Sequence, residues 1–174
     1  MAEAQQGLTA RAAALGLLTA IMEEGHTMAQ VLVAPNGPRK AVAPQERARA
    51  QRLALQVIRL LEPVDRMLEP HLRKNPPLAV MNILRLAVTE LHEGAAPHGV
   101  VNAAVELARK SKRTTPMAGL INAVLRKIPE GAPLAGPAQR LPRWLRQPMV
   151  LAYGREVVAA IEEIHAKAPP LDIT

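Results

Sequence analysis

Arg109-Lys110-Ser111-Lys112-Arg113 places four cations in five consecutive positions, and the chemistry open to such a run is the binding of phosphate anions. A second group, Arg39, Lys40, Arg47, Arg49 and Arg52, falls within 14 positions. Each group also admits a plainer reading. The first is then a solvated helix end whose charges complement the macrodipole, and the second balances a loop and an exposed helix face. Taken as sets they raise the weight of RNA contact. The whole chain points the same way, with 22 basic residues against 15 acidic ones and a formal net charge of +7.

Other chemistries find less support. Cysteine is absent, which excludes disulfides, cysteine-ligated zinc, iron–sulfur clusters and every thiolate nucleophile. The five histidines, His26, His71, His92, His98 and His165, form no pair at metal-ligand spacing on one helix face. His92 and His98 flank a Gly-Ala-Ala-Pro turn and read as structural. Glu162 and Glu163 read as ordinary helix-surface charges, and no general acid or base is specified. Trp144 and Tyr153 are the only aromatic residues, so base stacking is a weak option and binding to phosphates and RNA shape is expected, with a marked salt dependence. Trp144 reads as a hydrophobic anchor.

The elements that must position these groups are helices. The chain is rich in Ala and Leu and has 1% aromatic residues, a composition that favours an all-α fold over a β-sandwich or barrel. Its longest apolar run, 12–22, falls short of the roughly 18 residues that span a bilayer, and reads as a first helix over about 10–24 with Thr9 as its cap. A short helix from Thr27 leads into a proline-rich loop carrying Arg39 and Lys40. Pro44 opens a long helix with an apolar stripe of Ala50, Leu53, Ala54, Val57 and Leu61. Pro63 and Asp65 open another piece, ended by Asn75-Pro76-Pro77. Three core helices follow: 78–94, one from Pro97, and one from Pro116. Small residues, Ala103, Ala104 and Ala108 on one and Ala118, Gly119 and Ala123 on the next, would let the last two approach closely. Residues 129–141 are rich in Pro, Gly and Ala and read as a linker. Beyond it, 142–174 reads as two short helices split near Tyr153-Gly154, then a run that begins to look extended.

Three blocks carry a family resemblance. The first helix with its T-x-R-A-A-A-L-G-L-L pattern, ERARAQRLALQVIRLLEPVDRML (46–68) and HGVVNAAVELARKSKRTTPMAGLINAVLRKI (98–128) together resemble the NusB-like helical domain. That domain occurs alone as a bacterial antitermination factor and at the N-terminus of the RsmB/Fmu (Sun) ribosomal RNA cytosine methyltransferases. LPRWLRQPMVLAYGREVVAAI and PPLDIT resemble the methyltransferase branch. The resemblance implies a NusB-like bundle of about six to seven helices over 1–128, the linker, and a short helical extension leading toward a catalytic domain.

By resemblance, Arg11, Lys112, Arg113 and Asn122 are the best individual candidates for RNA contact, with Arg39, Lys40, Arg47, Arg49, Arg52, Arg109 and Lys110 in support. Asn122 has a competing reading as a buried amide bonding to backbone, and Asn102 is read as structural. The parent enzyme would use S-adenosylmethionine and a cysteine thiolate. This chain has no cysteine and no glycine-rich strand-turn-helix to hold that cofactor, so it is expected to be catalytically silent, without cofactor or metal. The implied partners are ribosomal RNA and a catalytic domain; weak self-association is left open. No membrane partner is expected, and the implied location is the cytoplasm. The rival is an antitermination factor binding a transcript element and a ribosomal protein; a third class is a protein-binding helical adaptor.

Overall fold

Good helix formers at Ala2, Glu3, Ala4, Gln5 and Gln6 carry the first helix eight residues further toward the N-terminus than a Thr9 cap would allow. The computed structural model describes residues 2–38, 40 and 42–169, with side chains from residue 7 onward. In it α1 runs Ala2–Met22, so Thr9 lies inside the helix and not at its start. Thr27 does cap α2 (Met28–Val33), through a reciprocal box in which its hydroxyl accepts from the Gln30 N–H and the Gln30 side chain accepts from the Thr27 N–H.

Pro44 at the first position opens α3 (Pro44–Arg59), whose Ala50, Leu53, Ala54 and Val57 are buried as the stripe requires. Leu61 instead begins α4 (Leu61–Leu68), with Leu60 taking the buried place. Pro63 therefore sits in the first turn of α4, where its missing N–H costs nothing. A short 3-10 turn over Glu69–His71 ends that piece. α5 (Leu78–His92) is buried at every position from Val80 to Leu91. α6 (Pro97–Arg109) starts on its proline, and a 3-10 turn at Thr115–Met117 leads into α7 (Ala118–Leu125). Beyond the bundle come α8 (Arg143–Tyr153) and α9 (Arg155–His165). Gly154 separates them at φ 83°, a left-handed conformation that a side chain would strain.

Among the described residues the chain is all-helical: seven helices in the bundle and two in the extension, with no strand. Two apolar clusters fill the bundle, one between α4, α5, α6 and α7, the other between α1, α2 and α3. α5 separates them and feeds both, with Ile83, Leu84 and Val88 in the first and Leu86 in the second. Of the small residues expected between α6 and α7, Ala104, Ala108 and Ala118 share the first cluster, whereas Ala103 belongs to the second. Gly119 and Ala123 are exposed and do not enter that packing.

Residues 129–141 run over the bundle. The Gly131 N–H donates to the Leu91 carbonyl at 2.8 Å, and His92 Nδ1 lies 3.0 Å from the Ala132 carbonyl oxygen. Arg66 donates to the carbonyls of Ala135 and Pro137. Glu62 accepts from the Arg140 N–H, and its own N–H donates to the Gln139 side chain.

Candidate nucleic-acid interface

The turn after α6 is built by hydroxyls. Thr114 Oγ1 donates to the Ala108 carbonyl at 2.6 Å, and Thr115 Oγ1 donates to the Ser111 carbonyl at 2.8 Å. The first satisfies a carbonyl that the end of α6 leaves open, and together they fix the loop that carries the basic run. Arg109, Lys110, Lys112 and Arg113 are all exposed. Arg113 reaches Glu23 at the end of α1, 3.6 Å away, with its side chain 73% exposed. Among the described residues no carboxylate lies within ion-pair distance of Arg109, Lys110 or Lys112. Their charge is therefore available to an outside anion.

Beside that turn, α6 and α7 enclose an open groove of about 490 Å³ lined by Asn102, Glu106, Arg109, Gly119 and Asn122. Asn122 is half-buried on its wall, not closed in between helices. Asn102 is exposed, with its amide nitrogen 3.0 Å from His98 Nε2 one turn earlier.

The second group divides in two. Arg47 holds the loop before α3, its Nε donating to the Val42 carbonyl at 2.6 Å and a terminal nitrogen to the Lys40 carbonyl at 3.3 Å. Lys40 is exposed; Arg39 lies outside the described residues. Arg49 and Arg52 instead join Arg11 at the corner of α1, α3 and α5. Arg11 Nε donates to Glu90 at 2.7 Å, Arg49 stands 4.0 Å from the other oxygen of Glu90, and Arg52 donates to Glu93 at 3.5 Å. Arg11 and Glu23 mark the two basic corners, about 18 Å apart along α1 at 1.5 Å per residue.

Sequence reasoning missed the buried carboxylates. Glu90 sits in an apolar stretch with nothing nearby in sequence to name its partners, 79 positions away in the case of Arg11. Glu162 is a correction, since it is 5% exposed and not a surface charge. It accepts from Arg146 Nε at 2.8 Å and from the Leu141 N–H at 2.9 Å. Burial opposes its ionised form, but the Arg146 and Leu141 bonds outweigh that penalty and hold the carboxyl below its usual range. Trp144 is 75% exposed on α8. Among the described residues no group of three or more histidines and carboxylates is placed to hold a metal ion, and no helix is long and apolar enough to cross a membrane.

A scan of protein-family models matches the NusB family over residues 8–130. Searches of the curated proteins and of the solved structures return no match. The matched span takes in the whole of α2 to α7 and α1 from residue 8 onward, together with the arginines and carboxylates of both basic corners, and it stops before α8. On that match over most of its length, the chain belongs to the NusB family of RNA-binding helical domains.

Proposed function

We propose that this chain is the RNA-targeting domain of an S-adenosylmethionine-dependent ribosomal RNA cytosine-C5 methyltransferase. It grips phosphates through its two basic corners and leaves the chemistry to a catalytic half that supplies the cysteine. The observation that favours this branch is the outer surface of α8 and α9, beyond the family match. Trp144, Leu151, Tyr153, Val157 and Ile164 are 49% to 84% exposed there, and the two helices are tied together through the pair of the half-buried Arg146 and the buried Glu162. An ordered extension with apolar side chains turned outward is suited to carry a neighbouring domain. The rival, a free-standing antitermination factor, draws on the match over 8–130 alone and gives α8 and α9 no task.

The test is fluorescence anisotropy with a labelled ribosomal RNA fragment in low salt. Replacing Lys112 and Arg113 by Glu is expected to weaken binding about tenfold or more, as two phosphate contacts become two repulsions. Unchanged affinity would favour a protein-binding adaptor. Binding that is weak until a ribosomal protein is added would favour the antitermination factor.

A further inference from the structure

The corner of α1, α3 and α5 holds its arginines in an unusual way. Glu90 projects from the most deeply buried helix with its side chain only 6% exposed, and it serves two guanidinium groups at once. Arg11, 14% exposed, donates to Glu90 through Nε, a bond that does not use its two terminal nitrogens. Arg49 is 39% exposed and stands at the rim. Gly7 forms the floor: a Cβ there would lie 3.1 Å from a terminal nitrogen of Arg11 and 3.6 Å from one of Arg49. The two guanidiniums thus converge on the same bare patch of α1 backbone. Among the described residues, Glu46 accepts from the Ala10 N–H and Glu93 from Arg52.

Two cations do not settle side by side unless something behind them offsets their repulsion. Glu90 does this from the buried side, and the exposed edge of the pair is chiefly that of Arg49, 39% exposed against 14% for Arg11. A phosphodiester presents two anionic oxygens and is matched by paired guanidinium donors. Holding those donors in place beforehand removes part of the ordering cost of binding.

We propose that Glu90 is a positioning residue that holds Arg11 and Arg49 as a paired clamp for one phosphate of an RNA strand. This rests on the RNA-binding reading above, and it adds a prediction with an opposite sign. By simple charge counting, removing an anion from a cationic surface tightens RNA binding. By positioning, it loosens it.

The experiment titrates a labelled ribosomal RNA fragment with the full 174-residue chain and with two variants, Glu90→Gln and Gly7→Ala, alongside thermal melts. Glu90→Gln is expected to weaken binding about fivefold, the size of losing one ordered side chain. Gly7→Ala leaves every charge in place and favours the helix; it presses on Arg11 and is expected to weaken binding about twofold without lowering the melting temperature. Affinity equal to or tighter than the parent's in a folded Glu90→Gln chain overturns the clamp. If that variant does not fold, unchanged affinity in Gly7→Ala overturns it. Absence of any complex with the parent chain would instead remove the RNA reading itself, and the clamp with it.

Discussion

Arg85 on α5 meets Asp65 on α4 through two parallel hydrogen bonds, Nε to Oδ1 and a terminal nitrogen to Oδ2, each 2.7 Å. The arginine is 8% exposed in the middle of the central helix, and its remaining terminal nitrogen donates to Asn82 Oδ1 at 3.0 Å. A pair of this shape is strong because fork and carboxylate match. It is also the polar lock between an eight-residue helix and the core. Replacing Asp65 by Asn leaves a buried guanidinium facing a neutral amide, so the chain should lose about 2–4 kcal/mol of stability. Urea denaturation followed by circular dichroism measures this. A loss under about 0.5 kcal/mol would mean that solvent already screens the pair through the partly exposed Asp65.

Glu162 gives a dependence on pH whose sign follows from its environment. Its carboxyl is held below the usual range when folded. Such a group adds stability above the unfolded value, about 4.3 for Glu, and loses it as pH falls through the lower folded value. The α8–α9 pair and its tie to Leu141 should therefore loosen below about pH 4. Trp144, the chain's only tryptophan, sits on α8 and reports this locally by fluorescence. Glu162→Gln should remove most of that acid transition and weaken the pair at neutral pH.

The helices were legible in the sequence because their signals are local. Prolines at the first positions of α3 and α6 and the glycine between α8 and α9 are each read from a single residue, and the apolar stripe of α3 from a short window. The charge partners were not legible, because they depend on which helix lies beside which. Arg85 and Asp65 are 20 positions apart and Arg11 and Glu90 are 79 apart. A carboxylate on a helix that is apolar around most of its circumference was the one available hint for Glu90. For Glu162 even that was lacking, since Glu163 beside it is exposed and the two look alike in sequence. Thr9 misled for a related reason: a good capping residue caps only where the chain before it is not itself helical.

Lys110 and Lys112 carry charge that no described carboxylate offsets, and so they suit a quantitative check on phosphate contact. Each contact released adds about 0.7 to 0.9 to the slope of log affinity against log salt. Replacing both lysines by Ala should flatten that slope by about one and a half. Arg47→Ala should act differently. Its guanidinium is spent on the carbonyls of Lys40 and Val42, so the slope should stay near the parent's while the loop before α3 becomes more open to proteolysis.

Trp144 and Leu151 lie seven residues apart on one face of α8 and are 75% and 84% exposed. Among the described residues, neither apolar cluster of the bundle includes a side chain from α8 or α9. If these two side chains serve contact with another domain and not the bundle's own packing, replacing both by Ser should change the stability of this chain by no more than about 0.5 kcal/mol. Leu84, fully buried in α5, sets the contrasting scale: its truncation to Ala should cost about 2–5 kcal/mol through lost contacts and the cavity left behind. Thermal melts of the two variants side by side make the comparison. A loss above about 1 kcal/mol from the double Ser variant would place Trp144 in the packing of this chain, and the outward face of α8 would then no longer favour a catalytic neighbour over the free-standing factor.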